Sequence, residues 1–218
     1  PHPAFPPPLT QSCHGENYDR EINGVSCKNC HTATAGPEAC ITCHGSLTNI
    51  APPQDLSNNT LNTAIGVGAH QTHVATTSIT RVYSCTMCHI ALDDFDDPEH
   101  IDGSDHAEVI FGELATDSGE LSTNWNRTTA SCSQVYCHGS FTLGSGGQIT
   151  GNSDPVVWTE VNPDPAACNF CHDLPPAGHP GQGVYTTPAS CTQCHSSVVN
   201  SNGDIINQFL HINGEANY

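Results

Sequence analysis

"CKNCHTATAGPEACITCH", residues 27–44, holds two copies of one pattern: cysteine, two residues, cysteine, histidine. The copies are Cys27/Cys30/His31 and Cys40/Cys43/His44, and the pattern recurs at Cys85/Cys88/His89, Cys168/Cys171/His172 and Cys191/Cys194/His195. Cys132/Cys137/His138 is a sixth copy with four residues between its cysteines. Thirteen cysteines in 218 residues leave a choice among disulfides, zinc and covalent haem, and the spacing decides it. Two thiols at this separation can add to the two vinyl groups of one porphyrin edge, and the imidazole that follows lies under the iron as proximal ligand. Zinc sites draw their ligands from separated pairs and have no need of a histidine directly after the second cysteine. Disulfides within C-x-x-C pairs would close tiny rings and leave the recurrent histidine unexplained.

Upstream of the first complete motif stands half of another. Cys13-His14 is followed by Gly15, as His44 and His138 are followed by Gly45 and Gly139, but Thr10 occupies the place of the first cysteine. This reads as a seventh haem site held by a single thioether at Cys13. Histidine bookkeeping points the same way. A low-spin haem in an electron carrier takes two strong axial ligands, and of the 14 histidines seven directly follow a cysteine: His14, His31, His44, His89, His138, His172 and His195. The other seven, His2, His70, His73, His100, His106, His179 and His211, match them one for one as distal ligands. His70 and His73 in "GAHQTH" are three residues apart, which puts two imidazoles on one face of a helical turn, within reach of two different haems. Which distal histidine serves which haem is not written in the sequence.

Composition narrows the function classes. Net charge is -18, with Arg20, Lys28, Arg81 and Arg127 the sole Lys and Arg residues, so nucleic-acid backbones and anionic membranes are poor partners. No run of 18 or more apolar residues exists, hence no membrane span. Abundant cysteine and covalent haem imply export to the periplasm or beyond, and the sequence reads as a mature start without signal peptide. Hydrophobic residues make up 36% and aromatics 6%, a poor supply for a protein-only core of this size, so haem is expected to fill the interior.

The expected fold is mostly coil with short helices and a few short strands, wrapped around a stacked haem chain. Cysteine, cysteine and histidine at offsets 0, 3 and 4 project to one side of a short helical turn. The opening "PHPAFPPPL" favours extended polyproline conformation. Two partial repeats, 88–114 and 194–218, each place a motif before an H-I-[DN]-G turn, giving pseudo-repeat halves 1–117 and 118–218 of one multihaem unit, 1–218. In the first copy "AEVIFGEL" reads as a strand through Val109, Ile110 and Phe111, whereas the second copy stops at Tyr218, as a proteolytic cut of a longer precursor would leave it. The acidic run Asp93, Asp94, Asp96, Asp97 and Glu99 lacks the spacing of a calcium loop and reads as a solvated charge run. Asn58 and Asn126 head glycosylation sequons.

"ASCSQVYCHGSFTLGSGG", "DPAACNFCHDLPPAGHPGQGVYTTPASCTQCHSS" and "HINGE" resemble the C-x4-C-H/C-x2-C-H repeat cytochromes of metal-reducing bacteria, most closely over about 130–215 and less so over 27–114. That resemblance implies an exported multihaem c-type protein, and some members are cut from a precursor and polymerise into conductive extracellular filaments. The function expected is therefore electron transfer along closely packed bis-histidine haems, in a homopolymeric filament at the cell surface or outside the cell. His2, on its proline-rich arm, is expected to ligate a neighbour's haem. Redox proteins or extracellular acceptors would be the other partners. The alternatives are a monomeric periplasmic carrier and, less well supported, a multihaem reductase, which needs an iron with an open position. Haem or metal storage is a fourth reading, and covalent attachment argues against it.

Overall fold

The computed structural model describes residues 26–33, 36–39, 41, 44–45, 49, 51, 54–55, 57–90, 92, 97–100, 106–143, 146–161 and 168–218. The expectations placed on His2, Cys13, His14, Cys40, Cys43, the proline-rich opening and Asp93, Asp94 and Asp96 lie outside the described residues.

The chain is mostly coil with short helices and a few short strands, as its composition leads one to expect. Single 3-10 turns span Cys27–Asn29, Gly36–Glu38, Cys85–Met87 and Tyr136–His138, and a longer one spans Pro188–Gln193. Their starts are set locally. The Ser26 hydroxyl accepts from the Lys28 backbone N–H (3.1 Å) and the Ser84 hydroxyl from that of Thr86 (3.3 Å), each taking up one of the amide groups a helix start leaves bare. Before Cys191, Thr187 and Ser190 form a reciprocal capping box with Pro188 in the first turn. The one short α-helix among the described residues, α1 (His70–His73), is the helical turn anticipated from "GAHQTH".

Among the described residues five short strands form two small sheets. β1 (Asn124–Asn126), β2 (Ser131–Ser133) and β5 (Val156–Val157) pair antiparallel in the order β1-β2-β5, with Cys132 opposite both Trp125 and Val156. β3 (Phe141–Thr142) and β4 (Gln148–Ile149) make a hairpin with Phe141 opposite Ile149. The first sheet thus carries the leading cysteine of the C-x4-C-H motif, and the hairpin begins just after its histidine.

The expected strand through Val109, Ile110 and Phe111 does not form. Its hydrogen bonds go elsewhere: the Ile110 N–H donates to Cys88 O (2.9 Å) and the Gly112 N–H to Met87 O (2.8 Å). A 3-10 turn offers only those few carbonyls and no second strand, so the segment stays without a ladder.

Buried apolar side chains among the described residues are Ala51, Val67, Ala115, Leu121, Val135, Val198 and Val199, none larger than leucine. Phe209, Val184 and Leu61 are exposed by about two thirds (67%, 69% and 69%). Among the described residues too little apolar surface is buried to make a conventional core. Hydrogen bonds from distant segments do part of the joining. Trp158 Nε1 donates to Ile65 O (2.9 Å), Gln208 Nε2 to Ser78 O (3.3 Å), and the Gly214 N–H to the Tyr136 hydroxyl (3.1 Å). The connection between the pseudo-repeats is tied as well, through Tyr136 N–H to Ala115 O (2.9 Å) and Thr142 N–H to Asp117 Oδ2 (2.8 Å).

Candidate haem centres

Three C-x-x-C-H motifs share one backbone turn. The N–H of His31, His89 and His195 donates to the carbonyl of Cys27, Cys85 and Cys191 at 2.9, 3.0 and 2.8 Å, while the second cysteine of each donates to the same oxygen at 3.2, 3.1 and 3.2 Å. This bifurcated closure gathers two thiols and an imidazole on one side of a single turn. Cys168–Cys171 is a hydrogen-bonded turn that is not a 3-10 helix, and Cys132 sits on β2 ahead of the Tyr136–His138 turn. No disulfide joins any described cysteine. Burial pushes the Cys132 and Cys137 thiols up to about 12, with the charge of Cys88 adding to it, and burial also raises Cys88, Cys171 and Cys191.

The motif cysteines do not share one environment. Cys30 and Cys194 are exposed, as is Cys85, whereas Cys27, Cys88, Cys132, Cys137, Cys168, Cys171 and Cys191 are half-buried. Place in the turn does not set this: Cys30, Cys88 and Cys194 are all C-cap residues whose N–H closes back on the first cysteine, yet Cys88 is half-buried. Exposure does not bar a thioether, since addition to a vinyl group needs an accessible thiol. It does vary between motifs: Cys132 and Cys137 are both half-buried, as are Cys168 and Cys171, while the Cys27/Cys30, Cys85/Cys88 and Cys191/Cys194 pairs each hold one exposed cysteine.

The imidazoles are prepared as ligands. Nδ1 of His70, His73, His89, His172, His179 and His211 donates to the carbonyls of Val67 (2.8 Å), Ala69 (2.9 Å), Glu108 (2.8 Å), Asp173 (2.8 Å), Pro180 (2.5 Å) and Ile79 (2.8 Å). His195 Nδ1 donates likewise to Asn217 O. A carbonyl can only accept, so each Nδ1 carries the proton and each Nε2 keeps its lone pair for a metal. Burial lowers the pKa of His44, His70 and His211, and with the charge of His73 brings His138 down to about 4, so these rings are neutral near pH 7.

The structure brings motif and distal histidines together in twos. Ring centres are 5.9 Å apart for His44 and His100, 6.3 Å for His89 and His70, 5.9 Å for His138 and His73, and 6.0 Å for His195 and His179. His211 lies within electrostatic reach of His172, which adds a fifth candidate pairing by proximity alone. Two imidazoles on opposite sides of one six-coordinate iron, with metal–nitrogen bonds of about 2 Å, hold their ring centres roughly 6 Å apart. The observed spans therefore fit haem. Among the described residues no group of three or more His, Cys, Asp or Glu side chains converges as zinc would require. Arg81, stacked over Tyr83 (5.7 Å) and Phe209 (5.8 Å), has a buried Nε without a hydrogen-bond partner, a donor suited to an anion the polypeptide does not provide. His31 closes its own turn, and His106 is exposed after the 101–105 segment; neither belongs to these five pairings.

From His44 onward, motifs adjacent in sequence are also adjacent in space. His44 is in electrostatic reach of His89, Cys88 of Cys132 and Cys137, Cys137 of Cys171, and Cys168 of Cys191. The contact between the C-x4-C-H motif and the next C-x-x-C-H is made by backbone. Gly139 has φ +93°, and a Cβ there would fall 2.0 Å from Cys171 O, so only glycine lets the two turns approach this closely. Beside it the fully buried Ser140 hydroxyl accepts from the Gly151 N–H (3.1 Å), and the Asn152 N–H donates to Cys171 O (2.9 Å). Sequence reasoning did not pick out Ser140 or Trp158. The second had one visible signal: a tryptophan in a chain with so few aromatics must pack against something.

Residues 131–172, which span this backbone contact, match a family model described as the Geobacter CxxxxCH...CXXCH motif. The match indicates c-type haem binding and supports a multihaem c-type cytochrome, and with it electron transfer in general. No curated protein and no solved structure matches the chain. Among the described residues no helix is long and apolar enough to cross a membrane.

Proposed function

We propose that this chain carries seven c-type haems in an electron conduit and acts outside the cell as the subunit of a polymeric cytochrome filament. One observation carries the conduit reading: motif imidazoles face distal imidazoles at about the span of one iron, in one motif after another. The proximal ligands are His14, His31, His44, His89, His138, His172 and His195. His100, His70, His73, His211 and His179 complete the sites of His44, His89, His138, His172 and His195 in that order. His2 and His106 are the distal candidates for the two motifs nearest the N-terminus, and His2 is the one offered to a neighbouring subunit.

When bound, haem supplies a one-electron couple. The chain's own work is to fix the attachment turns, hold each imidazole as the Nε2-free tautomer, and press successive motifs together. With both axial positions assigned to histidine, no site for a small substrate remains, so the protein is a carrier and not a reductase. Its acidity favours basic redox partners and gives no hold on nucleic acid. The filament and its place at the cell surface rest on the resemblance to cytochromes that polymerise.

Cryo-electron microscopy of the untreated, purified holoprotein tests the proposal. Long filaments with a continuous haem chain are the expected result. Dispersed single particles would remove the polymer and leave a monomeric periplasmic carrier.

A further inference from the structure

Between two of these histidine pairs stands a side chain that belongs to neither. The Trp158 indole meets the His70 ring edge-on, with centres 4.8 Å apart and planes at 90°, and the His73 ring at 5.4 Å and 39°. His70 and His73 face different motif histidines, His89 and His138, so one indole touches one imidazole of each pair. Their rings are otherwise held by a single hydrogen bond apiece, to Val67 O and Ala69 O.

The indole itself has little freedom. Its residue follows β5, its backbone N–H donates to Ala130 O (2.7 Å), and its Nε1–H donates to Ile65 O (2.9 Å). Gly68, just before α1, has φ +42°, and a Cβ there would fall 1.8 Å from Trp158 Nε1. Only a glycine admits the ring at that place. The sheet that carries Cys132 therefore also delivers a rigid wall to the helical turn presenting both distal imidazoles.

We infer that Trp158 is a positioning residue for two neighbouring haem sites at once, setting the ring planes of His70 and His73. The planes of the two facing imidazoles lie 23° apart in the His70/His89 pair and 61° apart in the His73/His138 pair. The relative orientation of two axial imidazoles shapes the electronic anisotropy of a ferric site, and partners outside the ligand shell tune such centres through the ligands they orient. Trp158 thus holds adjacent sites in two different electronic states with one side chain. This inference rests on the assignment of His70 and His73 as ligands.

The test uses the holoprotein, with electron paramagnetic resonance of the oxidised form and a potentiometric titration, and with intact mass to count attached haems. Trp158→Leu is expected to keep every haem but to lose two of the wild-type low-spin signals and shift two of the titration steps, the others staying in place. Trp158→Phe retains a ring and loses the Nε1 anchor, and a smaller change at the same two signals is expected. That variant decides the matter should the leucine variant not fold. Wild-type signals and titration in either variant, with only a lower unfolding midpoint, would overturn the inference, as would a uniform change at all sites. His70→Ala and His73→Ala separate the two claims: if neither disturbs a single site's signal, the ligand assignment fails, whatever Trp158 does.

Discussion

Gly139 and His73 show how single positions carry the haem region. Gly139→Ala would put a methyl group against Cys171 O and force a non-glycine residue to φ +93°, where the backbone term alone costs on the order of 1–3 kcal/mol. Denaturant unfolding of the holoprotein should show at least that loss, with the haem count by mass unchanged. His73→Ala should open one site, giving one high-spin haem in the absorbance spectrum while the thioether-bound mass stays at the wild-type value. The motif turns were legible because spacing of three and four along one turn is local information, and the shared closure at Cys27, Cys85 and Cys191 is its structural counterpart. Their surroundings were not: nothing in C-x-x-C-H tells that Cys30, Cys85 and Cys194 are exposed while Cys132 and Cys137 are half-buried. The distal pairing was not legible either. His195 and His179 meet across one loop, but His138 is 65 residues from His73, and only tertiary packing brings them together.

Among the elements, α1 and the β3–β4 hairpin make contrasting cases. The spacing of His70 and His73 foretold a helical turn facing two sites, and α1 places the two rings against His89 and His138. The strand expected at 109–111 failed because β propensity says nothing about whether a partner strand is at hand, and here the available acceptors were Met87 and Cys88 carbonyls of a turn. The hairpin was missed because its strands are two residues each and their anchor is a buried serine. Ser140→Ala would leave the Gly151 N–H without its acceptor in a closed site, a loss of about 1–3 kcal/mol. Thermal or denaturant unfolding should register it, and limited proteolysis should find new cuts between 139 and 152.

On the scale of the whole molecule, the buried apolar set among the described residues is small, and in the proposed conduit attached haem takes the place of a core. Replacing Cys132 and Cys137 together by alanine should therefore remove one haem mass and also loosen residues 131–172, seen as faster hydrogen exchange there than at α1. The acidic charge, with pI near 4.8, predicts that association with any basic redox partner weakens as salt rises, measurable as a salt-dependent association rate. Composition made the coil-rich architecture legible at this scale, because a chain poor in apolar residues and rich in Gly and Pro has few other options. The order of the sites in space was not legible, since it is set by contacts such as Gly139 on Cys171 that no period or motif encodes.

The central claim is that paired histidines close the irons, and exposure of the reduced, native protein to carbon monoxide tests it most directly. Closed six-coordinate sites predict a visible spectrum that carbon monoxide leaves unchanged until the protein is unfolded. Binding to several haems in the native state would contradict the account, because the distal histidines named here would then not be ligands.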